Sequence, residues 1–283
     1  MPGVSFDRAA EYYDATRGYA PGSAERIRDA IVAHTGIEPD ARVLELGVGT
    51  GRIALPFIRA GYDFTGIDLS QAMMDRLEAQ IAGDAGRATY RLDLRQGDVT
   101  ALPFPDASFD LVVSVHVVHL VDDWQAMLRE ARRVLRPGGV LVLGYDSAPG
   151  DGRPIAGESV PEAVQVRDRW LRLREELGVG RPSGRSNLWG GDERITEYLT
   201  SLGAHVEQVA LTPFERPPMT PREMRERLSA RMYSADWSLS DEQHAELLRR
   251  LDEWFAQHIA APDTPGTGAG EFRALVARWP SDT

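Results

Sequence analysis

The clearest candidate for chemistry is a glycine-rich turn, Glu45-Leu-Gly-Val-Gly-Thr-Gly51, placed between an apolar run and an amphipathic segment. Glycines in such a turn let the backbone approach a ligand closely, and the N–H groups of the following helix point towards that ligand. A dinucleotide-binding turn would carry its third glycine where Arg52 or Ala54 stands here. The spacing therefore favours E-x-G-x-G-x-G over G-x-G-x-x-G, although the loop alone is also compatible with an ordinary strand–helix turn.

Two carboxylates follow later apolar runs, at positions where they could recognise a nucleoside. Asp68 ends the second run, and a carboxylate there can accept hydrogen bonds from both hydroxyls of a ribose. After the third run, Asp98 could accept a hydrogen bond from the exocyclic amine of adenine while the Val99 N–H donates to a ring nitrogen. Helix capping by Asp68 and a simple turn role for Asp98 are the alternatives. Together with the glycine turn, three successive strand ends would contact one ligand.

These residues need a frame of alternating strands and helices, and the first half of the chain has that pattern. Apolar runs alternate with amphipathic segments over residues 42–145, which is typical of a mostly parallel sheet flanked by helices. The predicted strands span residues 42–46, 64–68, 89–96, 109–115 and 140–145. The nearly unbroken apolar run at 109–115 is expected of a central strand that is covered on both faces.

The second half is more helical and less regular. Thr220-Pro-Arg-Glu223 places an N-cap, a proline at the first helical position and a glutamate at the third, so it predicts a helix start. Predicted strands lie at about residues 204–211 and 271–278, and predicted helical substrate or lid elements at about 160–202 and 221–259. We therefore predict a ligand-binding core at residues 1–146, with an N-terminal segment, and a second part at 147–283 that completes the sheet.

Four blocks of the sequence together resemble a known family. They are Val43-Leu-Glu-Leu-Gly-Val-Gly-Thr-Gly51, Gly66-Ile-Asp-Leu-Ser70 with Met73, Gly97-Asp-Val-Thr-Ala-Leu-Pro-Phe-Pro-Asp-Ala-Ser-Phe-Asp110, and Arg133-Val-Leu-Arg-Pro-Gly-Gly139. Over about residues 5–145 the chain resembles the class I methyltransferases of the type 11, ubiquinone/menaquinone-biosynthesis-like group, which depend on S-adenosylmethionine (SAM). The resemblance implies an α/β fold with a Rossmann-like seven-stranded sheet and a helical insertion or lid in the C-terminal half. It also implies SAM as cofactor and S-adenosylhomocysteine (SAH) as product.

The resemblance further implies which residues hold the cofactor. In these blocks and at the end of the fourth strand, the predicted cofactor-binding residues are Glu45, Gly47, Gly49, Gly51, Asp68, Leu69, Met73, Asp98, Val99 and Ser114. Asp68 is expected to hold the ribose and Leu69 to pack on the adenine. Asp98 and Val99 are expected to bind the adenine edge.

At the methionyl end, the resemblance places the Gly47–Gly51 turn beside the amino-acid part of SAM and Ser114 near the sulfonium. Residues 5–19 resemble an N-terminal segment that folds over the cofactor in related enzymes. In that segment Tyr13 could donate a hydrogen bond, and Arg17 could pair with the SAM carboxylate by a charge-assisted contact. The alternative is a surface helix with an aromatic packing face.

Two histidines, His116 and His119, follow the fourth predicted strand, where the acceptor pocket of the resembled family opens. A histidine there could remove a proton from an attacking hydroxyl or amine, because its ordinary pKa is about 6.5. Both are therefore candidate catalytic residues. A structural role is the alternative, since a histidine at the position of His119 is common in family members with different acceptors.

The composition excludes several mechanisms. The chain has no cysteine, which excludes disulfides, thiolate metal sites and a thiol nucleophile. It also has no lysine, which excludes Schiff-base chemistry and a P-loop nucleotide site. No histidine pair has metalloenzyme spacing, so we predict no metal. The net charge of −11 opposes attraction to nucleic acid.

The expected acceptor is a small molecule, and O-, N- and C-methylation all remain open. The sulfonium methyl is already activated, so alignment of the acceptor and exclusion of water can replace a dedicated base. A non-catalytic SAM-binding protein is the first alternative, and a nicotinamide (NAD)-dependent oxidoreductase is a weaker one. No apolar stretch reaches the length of a membrane span and no secretory signal is visible, so we expect a cytoplasmic monomer or homodimer.

Overall fold

The computed structural model describes residue 7 and residues 11–147, 160–179 and 192–280. Its helices are α1 (Tyr13–Arg17), α2 (Ser23–Thr35), α3 (Ala54–Arg59), α4 (Gln71–Ile81), α5 (Trp124–Val134), α6 (Glu162–Glu176), α7 (Asp192–Ser201), α8 (Pro221–Ser229) and α9 (Asp241–His258). Its strands are β1 (Arg42–Leu46), β2 (Asp63–Asp68), β3 (Leu92–Gln96), β4 (Phe109–Val115), β5 (Leu135–Ser147), β6 (His205–Glu215) and β7 (Ala269–Arg278). Among these helices, none combines the length and apolar character needed to cross a bilayer.

The seven strands form one sheet in the order β3-β2-β1-β4-β5-β7-β6. Strands β1 to β5 pair in parallel, whereas β7 runs antiparallel to both β5 and β6. This confirms the predicted Rossmann-like seven-stranded sheet. Strands β6 and β7 are longer than predicted, because their pairing continues from His205 opposite Arg278 to Glu215 opposite Ala269.

Strand β3 starts later than predicted. Its pairing with β2 begins where Leu92 lies opposite Phe64, and residues 87–89 form a 3-10 turn instead. The reason is local, because both the backbone N–H and the hydroxyl of Thr89 donate to the carbonyl of Gly86, at 2.9 and 2.8 Å. Such short-range hydrogen bonds from a threonine compete with strand pairing.

Helices cover both faces of the sheet. Helices α2, α3 and α4 pack on one face, where Ile31, Phe57 and Leu77 are buried among strand residues. Helices α5 and α7 pack on the other face through residues that include Leu128 and Leu199. Burial on both faces explains why β4 is an almost continuous apolar run. It also leaves the carboxyl ends of the parallel strands as the open edge at which polar residues can gather.

Helices α6, α8 and α9 form a separate layer, which we call the helical cap. Its apolar core includes Trp170, Leu173, Leu228 and Leu247. The sequence starts α8 and α9 firmly, because each begins with a capping box, at Thr220 and Ser240. A buried ion pair between Arg174 and Asp236 lies inside this layer.

The structure divides the helical element that was predicted at about 160–202. Helix α6 belongs to the helical cap, whereas α7 packs against the sheet through Ile195 and Leu199. Residues 180–191 between these two helices lie outside the described part of the chain. Helices α8 and α9 fall within the other predicted element, 221–259, and both belong to the helical cap.

Candidate active site

The glycine turn after β1 adopts a backbone that only glycine tolerates well. Gly47, Gly49 and Gly51 have φ values of +75°, +54° and +90°. A Cβ at Gly47 would overlap Cγ2 of Val117, so this residue has a steric reason to be glycine as well. At Gly49 the Cβ would lie 3.4 Å from Cε of Met73, whose side chain is buried. Gly47 and Gly49 are half-buried, whereas Gly51 is buried.

Asp68 joins the glycine turn to the end of β2. Its Oδ2 accepts a hydrogen bond from the Gly49 N–H at 2.8 Å, and its Oδ1 accepts one from the Ser70 N–H at 2.9 Å. Burial raises the pKa of Asp68, and these backbone N–H donors oppose that rise. The N-cap of α4 is Ser70, whose hydroxyl accepts from the Met73 N–H at 3.2 Å. Asp68 therefore does not cap this helix, and each of its oxygens retains a further lone pair.

Asp98 and Val99 lie beside Asp68 at the end of β3. The Gly97 N–H donates to the Asp68 carbonyl at 2.9 Å, and Oδ1 of Asp98 accepts from both the N–H and the hydroxyl of Thr100 at 2.8 Å. Asp98 thus has the turn role that we gave as the alternative, and it fills that role with Oδ1 alone. Its other oxygen, Oδ2, remains available. In residues 11–147 and the other described ranges, no protein acceptor binds the N–H of Val99.

The neighbouring Leu69 is half-buried between the ends of β2 and β3. Its carbonyl accepts a hydrogen bond from the side-chain amide of Gln96 at 3.0 Å, which ties the two strand ends together. Leu69 is therefore held at the same edge as Asp68 and Asp98. The structure thus places these predicted residues at one edge of the sheet.

Glu45 is buried beneath the glycine turn, with only 3% of its surface exposed. Within the described part of the chain its Oε2 has no hydrogen-bond partner. Burial raises the pKa of Glu45 well above its ordinary value, although the nearby charge of Arg52 opposes the shift. Glu45 is therefore a buried carboxyl group with unused hydrogen-bonding capacity below the turn.

Ser114, near the end of β4, is 1% exposed, and its hydroxyl donates to the carbonyl of Leu46 at 3.1 Å. This hydrogen bond joins β4 to the end of β1. The hydroxyl proton is thus already used inside the protein, and Ser114 can offer a ligand only a lone pair on its oxygen.

Helix α1 lies against the glycine turn. Asp14 of α1 accepts hydrogen bonds from the hydroxyl of Thr50 and from the side-chain amide of Gln80. The guanidinium of Arg52 donates to the backbone carbonyl of Arg17 at 2.9 Å. Tyr13 and Arg17 are both half-buried in this contact region. Helix α1 therefore packs on the turn, and the roles of Tyr13 and Arg17 in cofactor binding stay predictions.

Asp146, at the end of β5, is the centre of a polar cluster that the sequence did not reveal. Its side chain is 6% exposed and accepts hydrogen bonds from the hydroxyl of Tyr19 at 2.6 Å and the guanidinium of Arg216 at 2.9 Å. Arg52 lies 3.4 Å from the same carboxylate. Burial alone would raise the pKa of Asp146, but the positive charge of Arg52 and contacts with His116 and Arg216 lower it overall.

His116 belongs to this cluster through its ring. The N–H of Asp146 donates to Nε2 of His116 at 3.1 Å, which requires that nitrogen to be unprotonated. The same Nε2 is 3.4 Å from the Asp146 carboxylate, a contact that would favour protonation. Burial is the largest influence and lowers the pKa of His116, so the neutral ring with its proton on Nδ1 is the form that fits. His116 also has a positive φ of 59°, which only a few residue types adopt readily.

His119 lies in the short turn formed by Val118–Leu120. Its ring packs edge-on against that of His116, with 6.5 Å between ring centroids. The two candidate catalytic histidines are therefore neighbours at the end of β4. The lone pair on Nε2 of His116 accepts the hydrogen bond from the Asp146 N–H. This makes His116 a weaker candidate for a general base, because a base needs that lone pair to take up a proton.

We expect the stability of the protein to fall as the pH drops below about 6.5, in part because of His116. Its pKa is lower in the folded than in the unfolded chain, so the unfolded chain binds more protons in that range and unfolding becomes easier. One such group contributes at most about 1.4 kcal/mol per pH unit. Urea unfolding at pH 7.5 and 5.5 should give a smaller pH difference for His116→Asn than for wild type. His205→Asn, at an exposed position, should leave the difference unchanged, and equal slopes for His116→Asn and wild type would contradict the expectation.

Comparison with known proteins finds relatives for this chain. A family model described as a methyltransferase domain matches residues 44–143. The chain is 36% identical over 209 residues to a demethylmenaquinone methyltransferase of Renibacterium salmoninarum, covering 70% of this chain and 81% of the relative. It is 32% identical over 185 residues to a malonyl-[acyl-carrier protein] O-methyltransferase of Enterobacter lignolyticus, covering 65% and 64%. A crystal structure of a putative SAM-dependent methyltransferase from Methanococcus maripaludis superposes with a TM-score of 0.53 at 21% identity, covering 74% and 90%.

The sheet order, with its reversed β7, and the glycine turn after β1 define a class I SAM-dependent methyltransferase. Within that class, the chain belongs to the type 11 group of SAM-dependent methyltransferases. The predicted family and cofactor are thereby confirmed. The individual roles of the site residues stay predictions.

Proposed function

We propose that this enzyme transfers the methyl group of SAM to a small-molecule acceptor at the open edge formed by the ends of β1 to β5. The observation that carries the proposal is the hydrogen-bonding capacity left at successive strand ends beside a glycine turn. Free capacity remains on Oε2 of Glu45, on both oxygens of Asp68 and on the N–H of Val99. Buried polar groups without partners are costly, so a ligand that completes them binds favourably.

The nucleoside half of SAM fits the ends of β2 and β3. The lone pairs that remain on Asp68 would accept from the two ribose hydroxyls. The free oxygen of Asp98 would accept from the adenine amine, and the Val99 N–H would donate to the adenine ring. Leu69 is half-buried next to both and would pack on the flat face of the base.

The methionyl half of SAM fits the glycine turn and the N-terminal segment. The glycine backbone of the Gly47–Gly51 turn permits close approach, and Oε2 of Glu45 beneath it has unused hydrogen-bonding capacity. Arg17 carries a fixed positive charge for the carboxylate, and Tyr13 lies in the same segment. Met73 backs Gly49, and Ser114 would offer its oxygen near the sulfonium.

SAM supplies an activated methyl group on its sulfonium, so the protein mainly has to align an acceptor in line with the bond that breaks. Such positioning can lower a barrier by about 7–11 kcal/mol, which makes a dedicated base optional. His116 then acts as a positioning residue, because its Nε2 holds the Asp146 backbone. His119 is the remaining candidate for contact with the acceptor. The helical cap would exclude water when the acceptor is bound.

The net charge of −11 bears on which molecules can be acceptors. A chain with this charge repels polyanions at long range, so we propose that nucleic acid is not the acceptor. We also propose that the enzyme works in the cytoplasm as a monomer or homodimer.

Wild-type protein should bind both SAM and SAH, and should release SAH when a suitable acceptor is supplied. Calorimetry with SAM, SAH and NADH tests the binding step, and a coupled assay for SAH across hydroxyl, amine and carbon acceptors tests the transfer. Binding of NADH without binding of SAM would overturn the proposal. Tight binding of SAM without SAH release from any acceptor class would favour a non-catalytic SAM-binding protein.

A further inference from the structure

One aromatic ring joins the N-terminal segment to the helical cap. The ring of Tyr233, which follows α8 and is buried, contacts two guanidinium groups. Cζ of Arg17 lies 5.4 Å from the ring centroid, and Cζ of Arg167 on α6 lies 5.5 Å from it. Arginine packs favourably over an aromatic face, so the ring holds both cations in place. The two cations come from parts of the chain that are separate in the fold.

The two guanidinium groups lack a compensating anion in the described ranges. There, no carboxylate forms an ion pair with Arg17 or Arg167, and no hydrogen bond engages either guanidinium. Burial lowers the pKa of Arg17, and the charge of Arg167 lowers it further. Two like charges held close together in a partly desolvated place are unfavourable unless an anion lies between them.

Two acidic residues of the open edge, Asp146 and Glu45, do not pair with Arg17 or Arg167 in the described ranges. Asp146 is bound by Tyr19, Arg52 and Arg216, as described above. Burial raises the pKa of Glu45, and no ion pair joins its carboxyl group to Arg17 or Arg167 in the described ranges. Asp146 therefore does not serve as the counter-charge of Arg17 or Arg167.

We propose that Arg17, Arg167 and Tyr233 form a binding site for a carboxylate or similar small oxyanion, which bridges the N-terminal segment and the helical cap. The planar guanidinium group suits such an anion because it offers paired donors. This inference rests on the proposed function and extends it to two residues that no motif indicates. Two molecules can bring the anion to this edge: SAM with its methionyl carboxylate, or an acceptor that carries an acidic group.

The test compares Arg167→Gln with Arg172→Gln, a change at an exposed position of the same helix. If the carboxylate of SAM is the anion, Arg167→Gln should bind SAH at least about tenfold more weakly than wild type. Its affinity for 5′-methylthioadenosine, which lacks the amino-acid part, should not change. Arg172→Gln should bind both like wild type. Because methylthioadenosine reports the nucleoside site alone, failure of the proposed function is distinguished from failure of this inference.

If an acidic acceptor brings the anion, SAH affinity should be equal in all three proteins. Benzoate should then raise the unfolding temperature of the SAH complexes of wild type and Arg172→Gln, but not of Arg167→Gln, and neutral benzyl alcohol should have no such effect. The ligand-free Arg167→Gln protein should be at least as stable as wild type, because a repulsive charge is removed. Unchanged SAH affinity together with equal benzoate responses in all three proteins would overturn the proposal.

Discussion

Replacing Asp68 with alanine should weaken the binding of SAM and SAH by about 100-fold or more, which makes it the strongest single effect expected at the cofactor site. The wild-type carboxylate offers lone pairs for both ribose hydroxyls while it holds Gly49 and Ser70. Each hydrogen bond to a charged group is worth about 1.5–3 kcal/mol, so two lost contacts account for about 3 kcal/mol or more. Loss of the Gly49 contact also frees the glycine turn. Calorimetric titration with both ligands measures the change.

Asp75→Ala is the matched control, because Asp75 lies on α4, is exposed and binds only the side chain of Gln71 within the described chain. Its affinity for SAH should stay within about twofold of wild type, since a surface contact of this kind is worth little. Circular dichroism should establish that Asp68→Ala is folded before its affinity is compared. A folded Asp68→Ala protein that binds SAH like Asp75→Ala would show that Asp68 does not hold the ribose.

The sequence was sufficient for the sheet and for placing Asp68 and Asp98 at one edge of it, and there is a physical reason. Strand and helix periodicity, the glycine turn and the helix start at Thr220 are each encoded in a few consecutive residues. Parallel strands then bring their carboxyl ends to one edge of the sheet. Asp68 and Asp98 can therefore be placed at that edge from the strand pattern alone, without knowledge of side-chain packing. Where a local competitor existed, the prediction was wrong, as at Thr89.

The polar cluster around Asp146 could not be predicted in the same way. Tyr19, Arg52 and Arg216 come from three distant parts of the chain, and only the complete fold joins them to the end of β5. The one available signal was an acidic residue that follows an apolar strand. The layers of α6 and α7 could not be predicted either. The spacing of apolar residues indicates a helix, but it does not show whether that helix packs on the sheet or in the helical cap.

His116 illustrates the difference between the type of a residue and its role. The sequence places a titratable ring at the end of β4, which is where a general base would be useful. Its fold brings the Asp146 N–H to Nε2, and this contact uses the lone pair that a base needs. The contact between His116 and Asp146 could not be predicted from the sequence, because α5 separates β4 from β5 along the chain.

Replacing Asp146 with alanine should lower the free energy of unfolding by about 3–5 kcal/mol. The carboxylate is buried and is the shared partner of Arg52, Arg216 and Tyr19, so its loss leaves cations without a counter-charge. The pKa of Asp146 is lower in the folded than in the unfolded chain, so its stabilisation is present above about pH 4 and is lost as the pH falls further. Urea unfolding of wild type and Asp146→Ala at pH 7 should show the full difference.

Asp263→Ala is the matched comparison, because Asp263 pairs with Arg222 on the surface, where both side chains are more than half exposed. That change should cost less than about 1 kcal/mol. Tyr19→Phe removes one hydrogen bond to Asp146, and combining it with Asp146→Ala should add little further loss, because both changes break the same contact. If the two single losses simply added, or if Asp146→Ala behaved like Asp263→Ala, Asp146 would not be the centre that joins the N-terminal segment to the sheet.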